Sequence, residues 1–379
     1  MKICFSGDVF LGGDLLNKRC ENIVQCNVFN NASIRVVNLE QPISDSSYVE
    51  DKCTLYTGSF ALQQLKDLGI DAVNLSHNHI QDKGLASIGE TIEHLESAGI
   101  KHFGAGADIG EAEKPCWLTD DIAVLGYCEF GKPYLREIAV AEKDKPGTNP
   151  LRLEKVKADL DNLPTGARAI LYFHWGMEHV WLPPAEDINL AKKLLEDDRV
   201  ITIIGMHPHR VQGVLTHAKK QAYMCLGNFI FPNFYIAPPV QIHYPSECDK
   251  EKVKFKTRQY HEVYEITYKK WRFVNRVSLL LEFCTEREII TPVFVVQNDN
   301  SPTISDLKGI GLAFYRIWFK FLSSLYKLPL PVYGKLWRLH AFEVKITWRL
   351  QIMFFHLRQM GVRKFSIKLY DYAKRKISK

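Results

Sequence analysis

Carboxylate, amide and imidazole side chains stand just beyond five short apolar runs of this sequence. They are Asp8, Glu40, Asn78, His174, His207 and His209. Nitrogen and oxygen ligands of this kind suit divalent Zn²⁺, Mn²⁺ or Fe²⁺ better than soft thiolate chemistry would. Two such ions need a bridging carboxylate and several terminal ligands, and these donors are enough for that arrangement. The sequence therefore predicts a site for divalent metal, and we favour two ions over one.

The sharpest local signal is His207-Pro208-His209. In an extended loop, alternate side chains can address two neighbouring metals from one stretch of backbone. The alternative is a pair of polar loop histidines that bind no ligand.

Asn78 and His79 form a second pair with separable roles. The amide of Asn78 can donate an oxygen to a metal while His79 points toward substrate. Because an unperturbed histidine has a pKa of about 6.5, it can donate a proton or stabilise a transition state near neutral pH. His79 is therefore the candidate catalytic residue, and the alternative is a structural histidine bonded within its loop.

Four further polar residues are expected to brace the ligands or to face substrate. They are His77, Asp82, Glu178 and Asn228. Glu178 could orient a ligand histidine through its other ring nitrogen, as ligating histidines commonly require. An exposed carboxylate at a helix start and simple turn residues are the alternatives for this group.

The elements that position these donors are predicted to be buried strands. The runs at residues 2–5, 34–37, 72–75, 169–173 and 200–204 are short, apolar and largely β-branched or aromatic. Helical patterns alternate with them, and Gly69 and Gly99 close two of the helices. Because ligands bind beyond the carboxyl ends of strands in open α/β sheets, five such ends can converge on one crevice.

Two longer strands, at residues 276–283 and 289–296, are expected to be antiparallel and to finish a sheet. The turn residues at 298–302 break both periodicities. We therefore predict one α/β domain over residues 1–300 and a basic, aromatic, helical extension over residues 301–379.

Composition favours a cytoplasmic protein. Nine cysteines, odd in number and without a Cys-x-x-Cys pair, indicate a reducing compartment. A strand that begins at Lys2 leaves no room for an export signal. The apolar stretch at residues 311–326 is interrupted by Arg316 and Lys320, so no transmembrane helix is expected.

In its ordered motifs the chain resembles the CapA family, the capsule or poly-γ-glutamate biosynthesis proteins related to calcineurin-like metallophosphoesterases. The motifs lie at residues 7–12 (GDVFLG), 38–43 (NLEQPI), 74–84, 174–178 (HWGME), 205–213 and 226–231 (LGNFIF). The resemblance spans most of residues 1–300. It implies a calcineurin-like α/β/β/α sandwich with a dimetal crevice.

The resemblance also implies how the ligands are shared. One metal would be held by Asp8 and His209 and the other by Asn78, His174 and His207, with Glu40 between the two metals and His79 facing substrate. The phosphoesterase Asp-x-His pattern places histidine where Phe10 stands, so the first metal lacks that ligand. His77 stands where the family has asparagine.

The C-terminal extension carries the positive charge of the chain. Residues 310–379 hold fifteen Lys and Arg against two Asp and Glu, whereas the first 309 residues hold 34 against 41. A basic amphipathic helix can lie on an anionic membrane, here the inner face of the cell membrane. A helical cap packed on the catalytic domain is the equal alternative, and nucleic-acid binding is the least favoured.

Two functions follow from the motifs and the resemblance. The preferred one is a bacterial metal-dependent hydrolase that acts on a phosphoester or amide bond of a capsular polysaccharide or poly-γ-glutamate precursor. The alternative is an accessory protein of the polymer-synthesising complex that binds polymer or phosphate without turnover. The sequence does not indicate an oligomeric state.

Overall fold

The structure, a computed structural model, describes residues 1–132, 135 and 137–377. Within those residues the strands are β1 (Lys2–Val9), β2 (Val24–Gln25), β3 (Ile34–Leu39), β4 (Ala72–Asn74), β5 (Lys101–Phe103), β6 (Ala105–Gly106), β7 (Cys116–Trp117), β8 (Ile122–Cys128), β9 (Gly147–Thr148), β10 (Arg168–His174), β11 (Val200–Met206), β12 (Val214–His217), β13 (Lys220–Tyr223), β14 (Asn228–Ile230), β15 (Phe234–Ala237), β16 (Gln241–His243), β17 (Phe255–Thr257), β18 (Thr267–Lys269), β19 (Val277–Cys284), β20 (Ile289–Gln297) and β21 (Ile304–Asp306).

The helices are α1 (Asn27–Asn30), α2 (Ala61–Asp67), α3 (Ala86–Ser97), α4 (Ile109–Ala112), α5 (Leu153–Asp161), α6 (Ala185–Leu195), α7 (Glu247–Lys252), α8 (Phe273–Arg276), α9 (Gly309–Leu325) and α10 (Leu330–Ile377), which is kinked at Gly361. A short 3-10 helix covers Gly13–Leu15. Gly69 and Gly99, at φ of 63° and 72°, turn the chain into the left-handed region after α2 and α3. Both helices therefore end where the sequence predicts.

The larger sheet has the strand order β2-β21-β20-β19-β1-β3-β4-β5, and β14 pairs with the end of β1. Strands β1, β3, β4 and β5 run parallel to one another. Strands β19 and β20 pair antiparallel to each other, and β19 pairs antiparallel to β1. The expectation that the two late strands are antiparallel is confirmed, but the sheet continues beyond β20 through β21 and β2.

The second sheet has the order β12-β13-β11-β10-β8-β7. Its strands β8, β10, β11 and β13 are parallel, so the chain reaches the same edge at each carboxyl end. A four-stranded sheet, β16-β15-β18-β17, and a pair, β6-β9, complete the described strands.

Apolar side chains hold the two large sheets face to face. Phe5 of β1 and Leu279 of β19 share one core with Ile170 and Tyr172 of β10 and Ile204 of β11. On the outer faces, α2 and α3 cover the larger sheet and α5 and α6 cover the second sheet. Helix, sheet, sheet and helix layers follow one another, and the mixed α/β expectation is confirmed.

The chain beyond residue 300 continues into these layers. Strand β21 pairs with β20 at the edge of the larger sheet. Leu322 of α9 and Tyr333 of α10 enter the core outside the second sheet. The predicted boundary at residue 300 therefore precedes a strand of the main sheet, and the division into two domains stays a prediction.

The exposed face of α9 is apolar. Ile310, Phe314, Ile317 and Phe321 are all largely exposed and recur at helical spacing, opposite the buried Tyr315 and Leu322. Across the described part of the chain, no helix is both long and apolar enough to cross a bilayer.

Candidate metal centre

The predicted donors meet at the carboxyl ends of parallel strands from both large sheets. Asp8 lies near the end of β1 and Glu40 directly follows β3, while His174 ends β10 and His207 directly follows β11. The strands extend further than the sequence predicts, so Asp8 and His174 belong to strands rather than to loops. The two sheets thus place their terminal polar residues in one crevice.

Asp8 is held in a polar row that crosses the larger sheet. Cross-strand register pairs Asp8 with Asn38 on β3 and with Asn228 on β14, and pairs Asn38 with Asn74 on β4. Asn38 Nδ2 donates to Asp8 Oδ1 at 2.8 Å, and Asn74 Nδ2 donates to Asn38 Oδ1 at 2.7 Å. Asn38 therefore holds the Asp8 carboxylate directly, and Asn74 holds Asn38. Both hydrogen bonds are buried.

His209 lies beside Asp8 on the same side of the crevice. Its Nδ1 donates to Asn228 Oδ1 at 2.8 Å and lies 3.4 Å from Asp8 Oδ2. Its Nε2 lies 3.8 Å from Glu40 Oε1. Asn228 therefore orients the imidazole so that Nε2 faces the centre of the crevice.

The opposite side of the crevice consists of Asn78, His174 and His207. His174 Nε2 donates to Asn78 Oδ1 at 2.8 Å, and the His174 and His207 rings lie 4.6 Å apart. Both ring nitrogens of His207 and Nδ1 of His174 are buried without a hydrogen-bond partner among the described residues. Buried polar atoms without partners are rare in folded proteins and call for a ligand.

Glu40 lies between the two sides. Its side chain is fully buried, and Oε1 lies 3.8 Å from both His174 Nε2 and His209 Nε2. Neither carboxylate oxygen has a hydrogen-bond partner in the described chain. Burial, assisted by the negative charge of Asp8, raises the pKa of Glu40 well above the usual carboxyl range. A cation in the crevice would remove this penalty.

The loop after β11 is strained where it presents its histidines. His207 has a backbone φ of 92° and His209 has a φ of 54°. Residues other than glycine seldom adopt positive φ values. Such conformations cost on the order of 1–3 kcal/mol each and concentrate at functional sites. This backbone conformation turns both imidazoles toward the crevice. One short loop therefore supplies His207 to one side of the crevice and His209 to the other.

The electrostatics favour neutral imidazoles, which are the metal-binding form. Burial and the neighbouring histidines lower the pKa of His174 and of His207 well below the usual range. A neutral ring nitrogen needs no deprotonation before it binds a cation.

The donor set fits a divalent metal ion. Ligand atoms of Glu40, His174 and His207 lie within 4.8 Å of one another, and so do those of Asp8, Glu40 and His209. Glu40 belongs to both groups. Mixed imidazole and carboxylate ligation matches Zn²⁺, Mn²⁺ and Fe²⁺. The clusters therefore have the geometry to hold metal.

His79 is buried near His174 and His207, and Asp82 holds its ring in place. Its Nδ1 donates to Asp82 Oδ2 at 2.6 Å. Lys52 Nζ lies 2.8 Å from Asp82 Oδ1 and donates to the backbone carbonyl of Asn78, also at 2.8 Å. Asp82 thus fixes the imidazole through Nδ1, so that Nε2 is the nitrogen left for substrate.

His77 and Glu178 complete the predicted residues and occupy different positions. His77 is fully buried, its Nδ1 accepts the backbone N–H of His79 at 3.2 Å, and its ring lies 6.1 Å from that of His174. Glu178 is 41% exposed at the rim, with ligand atoms of His207 and His209 within 4.8 Å. It lies near ligands of both sides.

Phe10 belongs to an aromatic cluster behind the crevice. It is fully buried and packs against Phe231 and Phe234, with ring centroids 5.3 Å and 6.0 Å away. The side of the crevice formed by Asp8 and His209 therefore has aromatic packing behind it where another imidazole could have stood.

Sequence reasoning missed Lys269, the last residue of β18. It is 1% exposed, its Nζ has no hydrogen-bond partner within the described residues, and it lies 2.7 Å from the centroid of the Trp271 ring. Burial lowers its pKa well below the usual range, while the charges of Glu178 and Glu40 act in the opposite direction. Nothing in the local sequence marks it, because tertiary packing alone brings β18 to the crevice.

Comparisons with known proteins agree on one relationship. The family model described as bacterial capsule synthesis protein PGA_cap matches residues 2–233. The "Capsule biosynthesis protein CapA" of Bacillus anthracis is 26% identical over 178 residues, covering 45% of this chain and 42% of that protein. The "PGA biosynthesis protein CapA" of Bacillus subtilis (strain 168) is 24% identical over 242 residues, covering 60% of this chain and 62% of that protein.

A third relative comes from another genus. The "Probable polyglutamine synthesis accessory protein" of Mycobacterium tuberculosis is 27% identical over 206 residues, covering 50% of this chain and 53% of that protein. The chain spans about half the length of these curated relatives.

Proposed function

Because this chain belongs to the bacterial capsule synthesis protein family PGA_cap, we propose that it is a metal-dependent hydrolase in the biosynthesis of a capsular polysaccharide or poly-γ-glutamate. The single observation that carries this proposal is Glu40, a fully buried carboxylate shared by two histidine-containing donor groups. Hydrolases that use two metals need such a carboxylate between their ions.

We propose the calcineurin-like metallophosphoesterase sandwich as the fold of residues 1–300. Two facing sheets with helices outside, and ligands at the carboxyl ends of parallel strands, support it. Asn78, His174 and His207 would hold one cation and Asp8 and His209 another, with Glu40 between them. When bound, divalent cations supply polarisation of the scissile group and activation of water for attack.

The remaining steps belong to His79 and the residues that hold it. His79 would protonate the leaving group from Nε2, and the hydrogen bond between its Nδ1 and Asp82 supports this role. Asp82 orients the ring and stabilises the charged imidazolium, and Lys52 holds Asp82 in place. The bond cleaved would be a phosphoester or an amide.

The test is hydrolysis of an aryl phosphate diester, an aryl phosphate monoester and a γ-glutamyl anilide after Mn²⁺ addition. We expect turnover of at least one substrate, and a fall in kcat of about 10²–10⁴-fold in His79→Gln. His217→Gln, a half-exposed histidine paired with Glu196, is the matched control and should keep wild-type activity. Equal activity of both variants would remove His79 from the mechanism.

A second function is favoured by Phe10. With aromatic packing instead of an imidazole beside Asp8, the crevice could bind polymer or phosphate without turnover, as an accessory protein of a synthesis complex. The name of the Mycobacterium tuberculosis relative contains the word accessory. Stoichiometric metal with no hydrolysis of the whole substrate panel would favour this function over the first.

For location, we propose a cytoplasmic protein that lies at the inner face of the cell membrane. The exposed residues Ile310, Phe314 and Ile317 of α9, within the basic C-terminal region, support it. Wild type should sediment with anionic vesicles, and a Phe314→Ser/Ile317→Ser variant should not. Ile289→Ser, an exposed apolar residue on β20, is the control. Sedimentation by the α9 variant at the wild-type level would contradict the proposal.

A further inference from the structure

A cavity of about 960 Å³ lies beside the metal crevice, beneath α10. One wall is α10, through Trp337, Arg338 and Ala341 among others. The opposite wall includes Arg210, which follows His209, and Arg272, which precedes α8. The cavity lies between the α/β layers and the C-terminal helix, so both parts of the chain build it.

Positive charge dominates the lining. Four arginines line the cavity, together with Lys345, and the carboxylates among its lining residues are those of Glu178 and Glu343. The arginines are Arg210, Arg258, Arg272 and Arg338. Within the described chain, none of these four guanidinium groups forms an ion pair with a carboxylate, unlike Arg276 nearby, which reaches Asp299. The cavity therefore keeps a net positive charge, which Glu178 and Glu343 offset only in part.

Burial makes that charge costly. Arg210 stacks over Trp181 at 4.9 Å, and its Nε is buried without a hydrogen-bond partner among the residues described. Burial, together with the charge of Arg258, lowers the pKa of Arg272. An anion beside these side chains would stabilise their charged form.

The cavity adjoins the metal crevice through Glu178. Glu178 and His179 line it, and the carboxylate of Glu178 lies within 4.8 Å of ligand atoms of His207 and His209. Asn275, also in the lining, donates to the backbone carbonyl of His209 at 2.9 Å. A molecule with one end in the crevice would therefore have the rest of its length against the arginines.

We propose that this cavity binds an anionic oligomer whose carboxylate or phosphate groups pair with Arg210, Arg258 and Arg272 while one end reaches the metal crevice. Planar guanidinium groups recognise both kinds of anion through paired hydrogen bonds. A cavity of about 960 Å³ matches an extended ligand rather than a single inorganic anion. The inference deepens the proposed function by naming a substrate class, and it rests on that function only for the reaction, not for binding.

The experiment measures binding without metal or turnover. Chelator-treated full-length protein is titrated with a short γ-linked glutamate oligomer, a short linear polyphosphate and a neutral γ-linked glutamine oligomer, with calorimetry as the readout. The test variant is Arg258→Gln/Arg272→Gln, and Arg287→Gln, an exposed arginine in the turn between β19 and β20, is the matched control. Ala341→Trp fills the cavity from α10 without removing charge, and circular dichroism checks that each variant is folded.

We expect wild type and Arg287→Gln to bind at least one anionic oligomer and to ignore the neutral one. The double variant should bind at least about tenfold more weakly, because the loss of one hydrogen bond to a charged group lowers affinity by about that factor. Ala341→Trp should also bind weakly. The tighter of the two anionic oligomers identifies the anionic group. Equal affinity of wild type and both test variants, or equal binding of the neutral oligomer, would overturn the inference.

The two proposals fail separately. Wild type that binds an anionic oligomer but hydrolyses nothing would contradict the hydrolase and support the cavity as a polymer-binding site. Wild type that hydrolyses aryl phosphates with Mn²⁺ yet binds neither anionic oligomer would overturn the cavity inference alone.

Discussion

The two halves of the metal crevice differ in how far the protein satisfies their polar atoms. In the first half, formed by Asp8 and His209, Asn38 donates to Asp8 Oδ1 and His209 donates to Asn228 Oδ1, each at 2.8 Å, and one carboxylate oxygen, Asp8 Oδ2, is buried without a partner in the described chain. In the second half, formed by Asn78, His174 and His207, three buried ring nitrogens have no partner within the described chain. The second half therefore gains more from a cation, and we expect it to bind metal more tightly.

The difference shows how one site can hold two ions with different affinities. The first half trades a further imidazole for aromatic packing, because Phe10 lies against Phe231 and Phe234. Its two ligands, one carboxylate and one imidazole, are held in place by neighbouring amides, but among the described residues the half has no third ligand of its own besides the shared Glu40. The second half keeps neutral imidazoles whose buried ring nitrogens lack partners in the described chain, and it depends on a ligand to stabilise them.

Glu40→Gln should have the largest effect, because Glu40 belongs to both halves. We expect metal affinity to fall by more than about 100-fold at each half. This exceeds the usual effect of losing a residue that only hydrogen-bonds to a metal ligand. The metal-free variant should be more stable by about 1–3 kcal/mol, since a buried unpaired carboxylate is removed. Mn²⁺ titration and urea unfolding measure the two effects. Glu286→Gln, in the exposed turn after β19, is the control, and loss of metal from one half only would contradict a shared Glu40.

Phe10→His tests the aromatic packing behind the first half. We expect the free energy of unfolding to fall by about 2–4 kcal/mol, because the substitution loses buried packing and buries a polar ring. Metal content should not rise, since side chain 10 is turned into the aromatic cluster. Urea unfolding and metal analysis are the measurements, with Phe10→Leu as a milder control. One additional bound metal in Phe10→His would show that the first half lacks only a ligand.

The pH dependence of stability probes the second half. The pKa of His207 in the folded protein is depressed below its ordinary value of 6.5. Its contribution to stability is therefore complete above pH 6.5 and is lost as pH falls toward the folded pKa, because the unfolded chain takes up the proton first. In metal-free protein, His207→Asn should reduce the slope of the free energy of unfolding against pH by up to about 1.4 kcal/mol per pH unit. Urea unfolding at several pH values below 6.5 tests this prediction, with His217→Asn as the control. The same dependence of unfolding free energy on pH in wild type and His207→Asn would contradict it.

Asn228→Ala should have the smallest effect and should be confined to the first half. Loss of the amide that orients His209 is expected to weaken first-half metal binding about tenfold, as removal of outer partners does elsewhere. Second-half binding should be unchanged in the same Mn²⁺ titration. Asn300→Ala, an exposed loop residue, is the control. Equal weakening of both halves would show that the halves are not independent.

Local patterns in the sequence were sufficient for the strands and for the donors that follow them. Short apolar runs predict buried strands, and polar residues at their ends predict a crevice, because both depend on neighbours along the chain. The structure brings Asp8, Glu40, Asn78, His174, His207 and His209 together, with His79 near His174 and His207. Their roles as ligands stay predictions until metal is measured.

The parts that sequence reasoning missed depend on register and on distant packing. Asn38 and Asn74 bond to each other because β3 and β4 pair in that register, which neighbouring residues do not reveal. Polar residues at equivalent ends of successive parallel strands are the signal that could have found them. Lys269 and the arginines of the cavity come from separate segments that only the folded chain brings to the crevice.

The most direct test of the account is metal content by mass spectrometry of wild type and His207→Ala, paired with hydrolysis of aryl phosphate esters and a γ-glutamyl anilide after Mn²⁺ addition. The account predicts about two metals per wild-type chain, the loss of at least the second-half metal in His207→Ala, and the loss of hydrolysis with it. Wild type that binds no metal at saturating Mn²⁺, or His207→Ala that keeps both metal and turnover, would contradict it.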